Sequence, residues 1–253
     1  MFNVFWQEYG ILFAAALLGS AAVLPYGLRL AQNRPLRFSL PTLVLLSMMQ
    51  NAVIFGVVVL LGLAAAHAIG SGAPYVEAVL GGTYPPSGIG LAVAAAWGFV
   101  AGAALLIADL FFIPYWPKPL LDTAKKTTVL ENFLASFYGG INEELLMRFF
   151  GLSALLWLAS LVSQPNALIF WVANILMTIV FGIGHLPALK GVAGSISRVM
   201  LARTLLLNAP VGLVCGWLFW TYGIEAAIVA HFSADIVYHV CGTFVLRRKL
   251  GVR

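Results

Sequence analysis

Residues 167–188 read ALIFWVANILMTIVFGIGHLPA, a run without a single Asp, Glu, Lys or Arg. An α-helix needs about 20 apolar residues to cross the ~30 Å hydrocarbon layer of a bilayer, whereas a strand of a membrane barrel needs only about 10. Runs of similar length recur along most of the 253-residue chain, whose mean hydropathy is +0.98. The sequence therefore predicts an all-α, polytopic transmembrane helical bundle.

The composition of the whole chain supports this class. Hydrophobic residues make up 62% of the sequence and charged residues only 9%, against roughly 25% charged residues in soluble domains. The expected partner is therefore the lipid bilayer. The sequence pI of about 9.4 would suit a nucleic-acid ligand, but the basic residues lie in short segments between the apolar runs. No nucleic-acid partner is predicted.

Seven spans are predicted, at about 9–31, 40–69, 88–113, 128–162, 167–188, 198–222 and 224–246. The fourth is longer than a bilayer requires, and Gly139-Gly140 would weaken a continuous helix. Residues near 128–139 are therefore predicted to form a re-entrant or interfacial helix that leads into the span proper. Because no internal repeat is visible, residues 1–253 are predicted to form one transmembrane domain.

The basic residues predict the orientation of the chain. Of 14 Lys and Arg residues, 13 lie on one side of the predicted spans, in the 29–37 turn, the 114–127 loop, the 189–203 stretch and the tail after residue 246. The connections on the other side contain no basic residue. By the positive-inside rule, the C-terminus is expected in the cytoplasm and the N-terminus outside. The first run has no basic segment before it and no cleavage site, so it is expected to be a retained span.

Three residues within the apolar runs are predicted to serve only packing. Cys215 and Cys241 both lie inside such runs and lack the spacing of metal ligands. His67 lies near the outer end of the second span without a charged companion in sequence.

The fourteenth basic residue, Arg148, lies inside the fourth span, in the stretch NEELLMR at 142–148. A charge at membrane depth costs about 2.5–3.5 kcal/mol on insertion scales, so each charge here needs a partner. Glu144 and Arg148 are four residues apart and can pair on one helical face, whereas Glu143 points about 100° away. Glu143 is therefore the candidate functional carboxylate. The alternative that both carboxylates clamp Arg148 stays open.

Two later spans carry further polar side chains. His185 ends the fifth span, and the seventh contains His231 and Asp235 four residues apart, with His239 one step further along the same stripe. Three helices each carry a Glu or His at membrane depth, and these side chains are expected to converge. A polar group that met no partner there would carry an uncompensated cost of desolvation. Such a set supplies a general base, imidazoles that bind water or zinc, and donors for an oxyanion. These are the requirements of amide hydrolysis without a covalent intermediate.

The three motifs, E-E-x-x-x-R at 143–148, F-x-x-x-H at 181–185 and H-x-x-x-D at 231–235, resemble those of a known family. That family is the CPBP intramembrane proteases, which include the type II CAAX prenyl endopeptidases and the bacteriocin-immunity (Abi) proteins. The resemblance covers about residues 128–246. It implies an intramembrane endopeptidase of a bacterial or archaeal plasma membrane, acting on a membrane-associated or lipidated peptide or protein.

The resemblance also implies a role for each motif residue. Glu143 would act with His185 to activate the attacking water, while His231 and Asp235 would hold the oxyanion. Structural and supporting roles fall to Glu144, Arg148 and Phe181.

The resemblance leaves the cofactor open, because the family has been described both as metalloproteases and as metal-independent glutamate proteases. In the first case zinc or another divalent metal would be bound by Glu143, His185, His231 and Asp235. Asp235 stands where family members also carry Asn, and a carboxyl group donates to an oxyanion only when it is protonated. Asp235 could instead orient His231 or bind a metal, which favours the metal mechanism slightly.

Two other classes of function stay open at this point. One is a non-catalytic membrane scaffold or bacteriocin self-immunity protein, in which the polar residues only fasten helices together. The other is a proton-coupled transporter or channel that uses Glu143, Glu144 and Asp235 as a relay. The absence of repeated halves in the sequence argues against the transporter.

Overall fold

The computed structural model describes residues 2–31 and 38–249, and within these ranges the chain is helical and contains no strand. The predicted all-α class is confirmed. The α-helices are α1 Phe2–Ala22, α2 Leu24–Ala31, α3 Leu40–Ala68, α4 Pro74–Leu80, α5 Ile89–Phe112, α6 Lys118–Lys126, α7 Val129–Phe137, α8 Ser153–Ser160, α9 Ala167–Gly184, α10 Leu186–Ala193, α11 Arg198–Tyr222, α12 Ile224–Asp235 and α13 Gly242–Lys249. Three of the basic residues used for the orientation, Arg34, Arg37 and Arg253, lie outside the described ranges.

The described part of the chain contains six helical stretches that are long and apolar enough to cross a membrane: Val4–Leu30, Leu40–Ala68, Ile89–Tyr115, Ala167–Ala193, Arg198–Tyr222 and Ile224–Lys249. Residues 129–160, the predicted fourth span, are also helical without interruption. Three charged residues, Glu143, Glu144 and Arg148, lie close together near the middle of this segment. The protein is an integral membrane protein with close to the predicted number of spans.

The helical segment 129–160 changes its winding where a break was expected. Helix α7 begins with a capping box, in which Thr128 and Glu131 each accept a hydrogen bond from the other's backbone amide. It then continues through π-helical turns over Tyr138–Glu143 and Leu145–Leu152 into α8. The predicted helix near 128–139 is thus α7, and it joins the span without a loop. Since π-helical turns concentrate at functional sites, this winding marks the stretch that contains the first motif.

Helix α12 lies close against α5 because the contact is lined by glycine. A Cβ atom at Gly98 or Gly102 would overlap the backbone of α12 at Ala230 or Ala234. Small residues at helix interfaces allow membrane helices to approach closely. A further π-helical stretch, Ile236–Cys241, follows α12 directly. This packing fixes the position of the helix that carries the third motif.

The prediction for the two cysteines is correct for one of them. Cys215 is buried, and its Sγ lies 3.7 Å from the carbonyl oxygen of Ala227. Cys241 is exposed on the surface of the bundle, so the prediction of an interior packing residue is wrong there. Membership of an apolar run does not reveal which face of the helix a residue occupies.

Candidate active site

Side chains from all three motifs line one cavity of about 460 Å³. The Oε2 atom of Glu143 lies 3.8 Å from Nε2 of His185 and 3.9 Å from Nε2 of His231. Asp235 places its Oδ1 atom 3.8 Å from the same Nε2 of His231. The structure therefore brings together the four predicted catalytic residues, which come from three separate helical segments.

Glu144, and not Glu143, is the partner of Arg148. The Nη1 atom of Arg148 donates to Oε1 of Glu144 at 2.7 Å, and both side chains are almost completely buried. The Nη2 atom of Arg148 donates to the carbonyl oxygen of Gly212 in α11 at 2.9 Å. Its guanidinium also lies over the Phe181 ring, 4.9 Å from the centroid. Because Glu144 satisfies the buried charge, Glu143 is left facing the cavity.

The tautomer of His231 follows from its partner. Its Nδ1 atom lies 2.6 Å from Oε1 of Glu144, the oxygen that also accepts from Arg148. A carboxylate paired with Arg is ionised and only accepts hydrogen bonds, so the proton of this bond lies on Nδ1. The Nε2 atom of His231 is therefore the one that faces Glu143 and Asp235.

His185 is oriented by the residue that precedes it by one helical turn. Its Nδ1 atom donates to the carbonyl oxygen of Phe181 at 2.9 Å, which leaves Nε2 to accept a hydrogen bond on the side of Glu143. The Phe181 ring packs edge-on against His185 and His231, with centroids 4.8 and 5.6 Å away. Helix α9 ends at Gly184, and Pro187 lies in the first turn of α10. His185 thus occupies a junction where its side chain is 37% exposed.

The separations around Glu143 are too long for direct hydrogen bonds. A water molecule that bonds to two groups at about 2.8 Å from each fits a separation near 3.8 Å. Glu143 is 25% exposed and lies at the cavity, so water reaches it. The arrangement can hold a water molecule between a carboxylate and an imidazole.

The same four residues have suitable chemistry for zinc, but their geometry does not form a ready metal site. Ligand atoms around tetrahedral zinc lie roughly 3.3 Å from one another. Within the described ranges, two groups each provide three ligand atoms that all lie within 4.8 Å of each other. They are Glu144 with Cys215 and His231, and Glu8 with His67 and Glu77, so neither is the set of four predicted residues. In the first group Glu144 is already the partner of Arg148. The structure therefore fits a water-centred site better than a preformed metal site.

The sequence analysis missed a polar cluster that borders the cavity. Arg203 donates through Nε and Nη2 to both carboxylate oxygens of Asp109, at 2.6 and 2.7 Å, and the hydroxyl of Tyr238 donates to the same carboxylate at 2.7 Å. Arg203 and Tyr238 line the cavity. The signal was an acidic residue inside the third span, which requires a partner at membrane depth. Arg203 was counted only as a basic residue of the cytoplasmic side.

The prediction for His67 is wrong, because this residue has charged companions. Its Nε2 atom lies 3.2 Å from Oε2 of Glu8 in α1 and 3.8 Å from Oε1 of Glu77 in α4. Glu8 is far from His67 in sequence, and Glu77 lies more than one helical turn beyond it. No local spacing in the sequence therefore indicates these contacts. His239 lies beside the predicted catalytic residues, with Nε2 3.8 Å from Oδ1 of Asp235.

The cavity of this helical membrane bundle brings the Glu143 carboxylate close to two oriented imidazoles, a set of groups that can activate water. Residues 125–237 match the family model described as type II CAAX prenyl endopeptidase Rce1-like, and this region contains all three motifs. This match confirms the resemblance drawn from the motifs, and residues 125–237 are similar to the type II CAAX prenyl endopeptidases. No curated protein and no solved structure gives a significant match.

Proposed function

We propose that the protein is an intramembrane endopeptidase that hydrolyses a peptide bond of a membrane-associated or lipidated substrate, with Glu143 and His185 activating the water. The observation that carries this proposal is the placement of Glu143 Oε2 at 3.8 Å from His185 Nε2 on the wall of an accessible cavity. The family match supports the same class of reaction.

The proposed reaction begins with proton abstraction from the water. Glu143 takes one proton as the water oxygen attacks the scissile carbonyl carbon, and the carbonyl oxygen becomes an oxyanion. His185 accepts a hydrogen bond through Nε2 and holds the water in line with the carbonyl. The C–N bond then breaks, and the proton held by Glu143 passes to the leaving amine. The second water proton, left on the new carboxyl group, also passes to the amine, so the products are a carboxylate and an ammonium group, and atoms and charge balance.

His231 and Asp235 are proposed to stabilise the oxyanion. The Nδ1 proton of His231 is bound to Glu144, so Nε2 donates to an oxyanion only when the ring is an imidazolium. Two carboxylates, those of Glu143 and Glu144, lie within 4 Å of this ring and favour the positive charge. Asp235 donates beside it in the protonated form.

We propose the metal-independent form of this mechanism, with zinc as the alternative that the donor chemistry keeps open. A metal would have to draw Glu143, His185, His231 and Asp235 closer than they lie here. The discriminating measurement is peptidase activity after dialysis against a strong chelator. Activity that persists supports the water-centred mechanism, whereas activity that is lost and restored by zinc supports the alternative.

We further propose that residues 1–253 form one transmembrane domain whose cavity opens towards the cytoplasm. The cavity is lined by Arg203, on the side rich in basic residues, and by Leu120 from the basic loop. By the same charge asymmetry the C-terminus lies inside and the N-terminus outside. Fluorescent-protein and alkaline-phosphatase fusions at the C-terminus test this orientation, since only the former is active in the cytoplasm.

The function is tested with purified protein in detergent and in liposomes. Three synthetic substrates are compared: a peptide with a prenylated C-terminal CAAX sequence, the same peptide without the lipid, and a single transmembrane helix. Glu143→Gln and His185→Ala are expected to lower cleavage by about 10²–10⁴-fold. Asp122→Asn is the matched control, because Asp122 lies outside the cavity lining.

Equal cleavage by wild type and both variants would overturn the assignment. A cellular phenotype that survives Glu143→Gln, in protein that cleaves none of the three substrates, would favour the non-catalytic scaffold. Preference among the substrates defines whether the lipid or the transmembrane segment is recognised.

A further inference from the structure

A second cluster of ionisable side chains lies at the other end of the bundle. Glu8 of α1, His67 of α3 and Glu77 of α4, here called the Glu8 cluster, each contribute one ligand atom to a set in which all separations are within 4.8 Å. Nε2 of His67 is the central atom, 3.2 Å from Glu8 and 3.8 Å from Glu77. The cluster includes none of the catalytic residues.

Glu8 is the unusual member of this cluster. Its side chain is fully buried, and neither carboxylate oxygen has a hydrogen-bond partner. Buried carboxylates are normally paired, hydrogen-bonded or bound to a metal. Within the described ranges, the ion-pair contact shown for Glu8 is the one with Nε2 of His67. A neutral imidazole provides no full charge to balance it.

Among the described residues, the surroundings of the cluster add negative charge and no positive charge. Glu77 contributes a second carboxylate to the cluster, and the neighbouring Glu225 accepts hydrogen bonds from the backbone amides of Tyr75 and Val76 in the first turn of α4. The other oxygen of Glu225 is buried without a partner. The connections at 70–87 and 222–225 contain no Lys or Arg. The cluster thus presents an excess of carboxylates that a bound cation would neutralise.

We infer that Glu8, His67 and Glu77 bind a divalent metal ion, and that zinc is the ion that suits them best. Zinc binds both carboxylate oxygens and imidazole nitrogens, so these residues supply three ligands and leave a fourth position for water. Tetrahedral coordination requires ligand separations of roughly 3.3 Å, close to the 3.2 and 3.8 Å already present. Small side-chain movements complete the site.

The cluster also has an entry path and a supporting contact. His67 and Glu77 line a cavity of about 550 Å³, through which the ion and its water ligand reach the site. The backbone amide of Ala73 donates to Oε1 of Glu77 at 2.9 Å, which orients this ligand. A Cβ atom at Gly72 would overlap the same oxygen, so Gly72 allows Glu77 to keep its present position. These features hold Glu77 towards His67.

The ion would join three helices that are far apart in sequence. α1, α3 and α4 each supply one ligand, and the site lies at the end of α3 that is distant from the basic connections. The inferred role is therefore a structural clamp at the outer face of the bundle, separate from the peptidase cavity.

The test uses full-length protein in detergent, stripped with EDTA and titrated with ZnCl₂. One zinc per chain is expected by elemental analysis after gel filtration, with a rise in melting temperature of at least about 3 °C. Co²⁺ in place of zinc is expected to give the intense visible absorption of a tetrahedral site. His67→Gln and Glu77→Gln are expected to lower zinc affinity by at least about tenfold.

The matched control is the double variant Glu143→Gln and His185→Ala, which removes donors from the peptidase cavity and is expected to bind zinc as wild type does. Both ligands changed in the test are about half exposed, so these variants are expected to fold, and gel filtration checks this. Absence of zinc binding to wild type would overturn the inference and leave a protonated Glu8 as the explanation of the cluster. Zinc binding that survives both ligand variants, or that is lost only in the double variant, would overturn it as well. None of these readouts depends on peptidase activity, so the two proposals fail separately.

Discussion

The Nδ1 atom of His231 lies 2.6 Å from Oε1 of Glu144, although 87 residues separate them in sequence. The same oxygen accepts from Arg148. This contact joins the first motif to the third and fixes which nitrogen of His231 faces the cavity. Glu144 thereby supports both the fold and the orientation of His231, while the adjacent Glu143 faces the cavity, where we propose that it activates water.

Replacing Glu144 is expected to destabilise the protein strongly. Glu144→Gln leaves Arg148 with an uncompensated charge in the interior, which typically costs about 3–5 kcal/mol of unfolding free energy. Thermal unfolding in detergent measures the loss. Glu143→Gln is the matched control, since Glu143 is partly exposed and has no Arg partner, and less than about 1 kcal/mol is expected there. A similar loss in both variants would show that Glu144 is not the principal partner of the buried charge.

Replacing the carboxyl group of Asp235 by an amide tests whether this side chain acts as a hydrogen-bond donor. Asp235→Asn keeps a hydrogen-bond donor facing the cavity, and we expect activity to stay within about an order of magnitude of wild type. Asp235→Ala removes the donor, and a loss of about 10²–10³-fold is expected. Steady-state cleavage of one substrate by the three proteins is the measurement. If Asn is as damaging as Ala, Asp235 does not act by donation, and the metal-ligand role gains support.

Gly139 sets the size of the catalytic cavity. A Cβ atom at this position would overlap Oδ2 of Asp235 and lie 3.4 Å from Nε2 of His231. Gly139→Ala is therefore expected to displace the Asp235 side chain and lower the cleavage rate by about 10²-fold. Gly10→Ala is the control, because a Cβ there meets nothing within 4 Å. A Gly139→Ala variant that cleaves substrate at the wild-type rate would contradict the close contact between the π-helical stretch Tyr138–Glu143 and α12.

The Asp109–Arg203 pair is expected to behave as one unit in stability measurements. Arg203→Met or Asp109→Leu alone leaves one buried charge without its partner, with an expected cost of about 3–5 kcal/mol, whereas the double variant removes both charges. The double variant is therefore expected to unfold at a higher temperature than either single variant. A double-mutant cycle from thermal unfolding gives the coupling, and additive effects would contradict the pair.

Much of the helical class and part of the site could be predicted from local sequence. The length and apolarity of each run fix a membrane helix, because the bilayer leaves backbone polar groups no partner outside their own helix. The pairing of Glu144 with Arg148 was foreseeable because residues four apart share a helical face. The same helical geometry predicted that Glu143 points away from the Glu144–Arg148 pair.

Tertiary structure alone decided which distant groups share an environment. The bond from His231 to Glu144, the pairing of Arg203 with Asp109, and the approach of Glu8 to His67 join positions that no periodicity relates. Gly139-Gly140 indicated where the regular winding ends, but the π-helical form of the turns after Phe137 was not predicted from the sequence. Hydrophobicity specifies that a helix enters the bilayer, but its rotation and neighbours arise from the packing of small residues and the need of each buried charge for a partner.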